Sequence, residues 1–163
     1  FLKKNLKLKD RFGISIYSPE DLNWINSKIL KVIQIPFNLC DYRWKKIILE
    51  LKEKIIVRSV FLQGIFFCED SKIPTKIKPE VTKVKSKINF FVKKFKRFDM
   101  KDLLFNYVKY YNFKGIIIGV DNEDHLKELF FYMNRPKFKK KEIMEINRKL
   151  QISENIIDPR KWY

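Results

Sequence analysis

Residues Ile55–Gly64, IIVRSVFLQG, decide how the chain is read. They form a run of β-branched and apolar residues that ends in polar residues and a glycine, as a buried strand does before a loop. Three shorter runs repeat the design: Phe12–Tyr17 (FGISIY), Val32–Phe37 (VIQIPF) and Gly115–Val120 (GIIIGV). Each is followed by residues at helical spacing. This β-then-α alternation predicts a parallel sheet with crossover helices. Ligands meet such sheets at the carboxyl ends of the strands, so the last residues of each run and the loops behind them are the candidate site.

Working outward, Ser18 reads as an N-cap, with Pro19 at the first helical position, acids Glu20 and Asp21 behind it, and an apolar stripe of Leu22, Ile25 and Ile29. Trp44, Ile47, Ile48 and Leu51 mark a second amphipathic helix. Cys68–Pro79, interrupted by Pro74 and Pro79, reads as a loop. Val81, Val84, Ile88, Phe91 and Phe95 then step by threes and fours, the face of a helix. Asp99 caps the next, with Leu103, Leu104, Tyr107, Val108 and Tyr111 inward. After the fourth strand, Asp121, Asn122, Glu123 and Asp124 start a helix expected to bury Leu126, Leu129, Phe130 and Met133, and Pro136 ends it. Ile143, Ile146 and Leu150 mark a last surface helix. At the other end Phe1–Asp10, with Leu2, Leu6 and Leu8 among lysines, reads as a helix tail, so earlier units are expected before Phe1.

The 163 residues are one domain or part of a larger one, and 45% apolar residues with 15% aromatics supply an ample core. No apolar run approaches the length of a membrane span. Cys40 and Cys68 have neither metal spacing nor disulfide-scaffold density, and read as buried or loop thiols of a cytoplasmic, reducing compartment. The net charge of +17 raises nucleic-acid binding, above all over Lys72–Lys101, where eleven Lys and Arg face only Glu80 and Asp99. The same lysine richness runs along the whole chain and no nucleic-acid motif accompanies it, so a solvated helix face is the favoured reading.

Four strands cannot close a barrel, which takes eight strands and about 250 residues. Alone they would expose two sheet edges and an apolar inner face. Either the other half precedes Phe1, or the chain pairs with a second copy or another partner.

The strand ends GISIYSPEDL, VIQIPFNLCDYR, IIVRSVFLQG and IIIGVDNEDHLKE, with the terminal DPRKW, resemble in order and separation the C-terminal half of an aldo-keto reductase. The likeness runs from about Arg11 to Trp162 and maps the four strands onto strands five to eight. It implies an α/β fold, the C-terminal half of a TIM (β/α)8 barrel: four parallel strands alternating with helices, plus a C-terminal helix, with residues 1–163 a partial domain. It implies an oxidoreductase that reduces a small-molecule carbonyl with NADP or NAD and no metal. The family's catalytic Asp, Tyr, Lys and His come from the half that is not in this sequence.

By the same resemblance Ser15 and Gln34 match residues that hold the nicotinamide amide, and Ile16 stands where the family carries asparagine. Gln34 is alternatively a satisfied polar group inside the barrel. Arg58 replaces a tyrosine that stacks on the nicotinamide. A guanidinium can lie on a ring or pair with phosphate, or it can serve in a rim salt bridge. Ser59 through Gly64, including Phe61, match the loop around the pyrophosphate. Gly119, Val120 and Asn122 lead into a helix N-terminus suited to phosphate, or are simply its cap. Gly119 and His125 stand where the family grips the NADP 2′-phosphate, and Leu129 where it places an adenine-side asparagine. Lys127 is the nearby cation that could substitute. A non-catalytic, self-assembling half-barrel is the alternative to an enzyme.

Overall fold

The computed structural model describes residues 12–24, 30–41, 43–150 and 152–163. The helix tail expected over Phe1–Asp10, and the Ile25 and Ile29 positions of the first apolar stripe, lie outside the described residues. Four strands form one parallel sheet in the order β1 (Gly13–Ser15), β2 (Val32–Pro36), β3 (Ile55–Arg58), β4 (Gly115–Ile116). Helices alternate with them: α1 (Lys45–Leu51), α2 (Lys78–Lys94), α3 (Met100–Tyr110), α4 (Glu123–Met133), α5 (Lys140–Lys149) and the short α6 (Glu154–Ile157). The sheet is open among the described residues. The expected architecture is therefore present: a half-barrel of parallel strands with helices on one side.

Register sorts the side chains. Ile33 pairs with Ile55 and Ile35 with Val57, and all four are fully buried in one apolar cluster with Val81, Val84, Ile88 and Leu103 of α2 and α3. The alternate positions Ser15, Gln34, Ile56 and Gly115 form a row on the other face, where exposure is higher. Adjacent residues of a strand point to opposite faces, so the helices cover the first set and leave the second toward the concave side. Phe37, just past β2, is tied to α3 and its exit by Tyr107, Tyr111 and Phe113, with ring centroids 6.0, 5.1 and 5.2 Å away.

Several elements differ from expectation. Every strand is shorter than its apolar run. The third stops at Arg58 because Ser59 turns left-handed (φ 59°), so 59–64 is loop rather than strand. The segment after β1 is a 3₁₀ helix, Pro19–Trp24, with Ser18 at the cap position and Pro19 first in the helix as expected, and Asp21 reaches back to tie its start. The Asp21 Oδ2 accepts the backbone N–H groups of Tyr17 (3.0 Å) and Ser18 (2.9 Å), which hold its carboxyl below the usual range. Pro79 lies in the first turn of α2, where its missing N–H costs nothing, instead of ending a loop, and Asp70–Lys72 adds a 3₁₀ turn.

The largest difference is α4. Leu126, Phe130 and Met133 are 43%, 57% and 50% exposed and Leu129 is half-buried, while Tyr132 is the buried residue. The reason is position. This helix follows β4, and among the described residues its neighbours lie on the α3 side: Tyr132 donates its hydroxyl to Asp99 Oδ2 at 2.7 Å, and its carbonyl accepts Asn106 Nδ2 at 3.0 Å. The expected Asp99 cap is present, accepting from Asp102 N at 2.7 Å.

The Lys72–Lys101 charges are largely engaged by the chain itself. Lys85 pairs with Asp70 (2.9 Å), Lys94 with Glu145 (2.6 Å) and Lys101 with Glu128 (2.6 Å), while Lys76 and Lys87 donate to the Lys161 and Lys149 carbonyls. Asp102, wholly buried, is flanked by Arg97 at 3.5 Å and Arg135 at 3.4 Å, a charge that needs both. Cys40 and Cys68 are free thiols, and burial pushes the Cys40 thiol far up, leaving it protonated. Among the described residues no helix is long and apolar enough to cross a membrane, and no cluster suits a metal ion.

Ile33→Ala should cost about 2–5 kcal/mol of stability, because a sealed site cannot collapse around the lost atoms. Leu49→Ala, at a side chain 84% exposed, should stay within about 0.5 kcal/mol. Urea unfolding of the two variants checks the difference.

Candidate functional site

Two clefts open at the carboxyl ends of the strands. The larger, about 580 Å³, lies between the loop after β3 and the loop after β4. Its β3 wall turns on four left-handed residues, Ser59, Leu62, Gln63 and Gly64, with φ of 59°, 46°, 56° and 73°. Leu62 anchors that wall in the core, and Phe61 packs edge-on against Phe67 with centroids 5.7 Å apart. The opposite wall is the extended segment past Ile116 and the first turns of α4. Asn122 caps that helix, its Oδ1 accepting His125 N at 2.9 Å.

The structure brings Ser59, Phe61, Gly64, Gly119, Val120 and His125 together on this cleft. Asn122 is the cap behind it rather than part of its lining. Glu128, Leu129 and Tyr132 also line it, stepping along α4 from His125, and Lys101 joins them from α3, which no spacing announces. A Cβ built on Gly64 or Gly119 meets nothing within 4 Å, so both backbones face open space that a ligand can approach. That suits a phosphate-bearing group held by main-chain N–H donors.

The charges suit it less. Asp121, 3.5 Å from His125 Nδ1, stands at the mouth, and Glu123 and Asp124 occupy the first turn of α4. They already satisfy the positive helix end. Lys127, the possible substitute clamp, is held by Glu123 at 2.9 Å and Asp124 at 3.7 Å, away from the cleft lining.

Ser15 and Gln34 are register partners on the concave face, and Ser15 Oγ donates to Gln34 Oε1 at 2.9 Å. The pair is thus partly self-satisfied, and the Gln34 amide nitrogen meets no acceptor among the described residues. Ile16 is buried among the core residues, so the position after Ser15 adds no polar group to this face.

Arg58 lines the smaller cleft, about 280 Å³, and Ser59 borders both. Its guanidinium lies over the ring of Tyr17, 4.2 Å from the centroid, and donates to Ser59 Oγ (3.2 Å) and the Ile16 carbonyl (3.4 Å). The alternative of a rim salt bridge is not what the fold shows: among the described residues no carboxylate pairs with it. Arg160, from the 3₁₀ turn Pro159–Lys161, shares the Tyr17 ring at 4.5 Å and grips Asp158 through two bonds of 2.8 and 2.7 Å. Those bonds hold the Asp158 carboxyl below its ordinary range. Across the cleft Arg43 binds the buried Asp41 in the same forked way, at 2.9 and 2.7 Å, which raises the guanidinium further.

No family model matches the chain, and no curated protein sequence does. The fold is similar to solved structures of aldo-keto reductase AKR11C1 from Bacillus halodurans. The holo form aligns at a TM-score of 0.68 and 14% identity, over 96% of this chain and 58% of that one. The apo form gives 0.67 and 16% over 96% and 59%. This chain therefore spans about three fifths of the length of those structures. At such identities the likeness is one of fold: the sheet and helices of an aldo-keto reductase half-barrel.

Two measurements follow from this geometry. Gly64→Ala should cost about 1 kcal/mol, since φ of +73° penalises any Cβ although space is free around it. The Asp158–Arg160 pair contributes stability above the ordinary aspartate value of 3.8 and loses it as pH falls through the lower folded value. Urea midpoints taken from neutrality down through this range should fall less steeply for Asp158→Asn than for the parent.

Proposed function

We propose that the chain is the cofactor-binding part of an aldo-keto reductase-like oxidoreductase, acting on a small carbonyl compound with NADPH or NADH. The observation that supports this most is the larger cleft, which gathers Ser59, Phe61, Gly64, Gly119, Val120 and His125 at the strand ends. In this reading the backbone around Gly64 and Gly119 receives the pyrophosphate, with Ser59 donating a hydroxyl. Ser15 and Gln34 present a hydroxyl and an amide to the nicotinamide carboxamide. The bound dinucleotide supplies a hydride to the carbonyl carbon. Phe61, Phe67 and Val120 supply apolar wall to the larger cleft. None of the proposed residues of this chain donates the proton to the carbonyl oxygen. That group is assigned to further strands of the barrel.

Those further strands are the partner in this proposal, whether the rest of a longer chain or a second copy. The exposed apolar residues of α4 and the open concave face mark where they would lie. A non-catalytic half-barrel is the second reading, favoured by the acids Asp121, Glu123 and Asp124 that crowd the phosphate end. The internal pairing of Lys85, Lys94 and Lys101 speaks against a nucleic-acid footprint.

Fluorescence titration with NADPH and NADH, in about 200 mM salt to screen the net charge, tests the proposal. Saturable binding weakened about tenfold or more by Gly119→Val is the expected result. A chain indifferent to both nucleotides sinks this reading and leaves the non-catalytic one.

A further inference from the structure

We infer that the smaller cleft is an anion subsite, centred on Arg58, that takes the carboxylate of an organic acid. The subsite itself stands on its own geometry, and only the claim that its ligand is a substrate rests on the proposed reductase function. In that case the carbonyl substrate carries a carboxylate.

Three guanidiniums line the cleft: Arg43, Arg58 and Arg160. Two are already neutralised. Arg43 is forked onto Asp41, whose side chain is 0% exposed, and Arg160 onto Asp158, 8% exposed. Among the described residues Arg58 makes neutral contacts, to Ser59 Oγ, the Ile16 carbonyl and the Tyr17 ring. Of the three, Arg58 is the one with no carboxylate partner among the described residues, and it is half-buried. A cation withdrawn from water without a counter-charge is costly, and an arriving anion offsets that cost.

The shape of the group favours a carboxylate. The Nε–H and one hydrogen on each terminal nitrogen of Arg58 meet no acceptor among the described residues. A guanidinium with donors to spare suits a planar carboxylate, which can accept two of them in parallel. The walls beside Arg58 are apolar, from Pro36, Leu62 and Ile157, and accept a small carbon body.

The location suits a ligand. Pro36 and Arg58 are the last residues of β2 and β3, and Tyr17 lies two residues past β1. Arg58 is held in place by the Tyr17 ring and the Ser59 hydroxyl, and Arg160 steadies the same ring, so the guanidinium is pre-oriented. Ser59 also borders the larger cleft, which sets an anion held here beside the ligand proposed there.

The test uses the whole chain without nucleotide, in about 200 mM salt so that bulk charge attraction is suppressed. The probes are pyruvate, its uncharged amide pyruvamide, and inorganic phosphate, followed by calorimetry and by amide chemical shifts. The expected result is saturable pyruvate binding, with pyruvamide and phosphate each about tenfold weaker or more. Arg58→Met should remove at least that factor, Arg58→Lys should restore part of it, and Lys87→Met on the far helix should change nothing. Should Arg58→Met fail to keep the parent's circular dichroism, Arg58→Lys carries the comparison, since it keeps the charge and loses the fork. Pyruvate binding that does not saturate, that is equal in the Arg58 variants, or that pyruvamide or phosphate matches overturns the proposal. Pyruvate binding with no response to NADPH or NADH would refute the cofactor reading alone, and the reverse pattern would refute the subsite alone.

Discussion

The structure depends on a single constraint: neighbouring residues of a strand face opposite sides, and the parallel register keeps this alternation in step across four strands. Because Ile33 pairs with Ile55 and Ile35 with Val57, one side is wholly apolar and sealed by α2 and α3. Because Ser15 pairs with Gln34 and Gln34 with Ile56, the concave side carries the polar groups. A slip of one residue in β2 would send Gln34 into the core and two isoleucines to the open side. The amide pair, Arg58 and both clefts inherit their positions from that register.

The helices then fix where the strand ends lead. Lys101 of α3 reaches Glu128 of α4 at 2.6 Å, and Asp99 and Asn106 of α3 hold Tyr132. Beneath them Asp102 is buried between two arginines, and Arg97 lies 3.9 Å from the centroid of the Phe138 ring. The α4 wall of the larger cleft is thus anchored on one side only, through α3. The smaller cleft is anchored on both sides, by two forked arginine–aspartate pairs. The two clefts therefore differ in character: one is roomy with acids at its mouth, the other small and cationic.

Much of this was legible in the sequence for a plain reason. Short β-branched runs followed by helical spacing have few three-dimensional solutions, and the faces Val81–Val84–Ile88–Phe91 and Leu103–Leu104–Tyr107–Val108 are buried as their spacing requires. The Asp99 and Asn122 caps are local and were equally readable. The extent of β3 was not, because a left-handed serine leaves no mark in composition. The faces of α4 were misjudged because periodicity shows that a helix is amphipathic, not what stands beside it. Tyr132 is buried and Phe130 is not because, among the described residues, the neighbours stand on the α3 side. The smaller cleft was invisible for a third reason: Tyr17, Arg43, Arg58 and Arg160 are joined by the folded topology and share no spacing.

The loop after β3 holds Ser59, Leu62 and Gln63 in a conformation that L-residues avoid, with only Gly64 at ease there. Its shape therefore comes from outside itself, from the sealing of Leu62 into the core, where 1% of its surface remains accessible. A change of packing beneath Leu62 would therefore reshape the cleft wall without altering any residue that lines it.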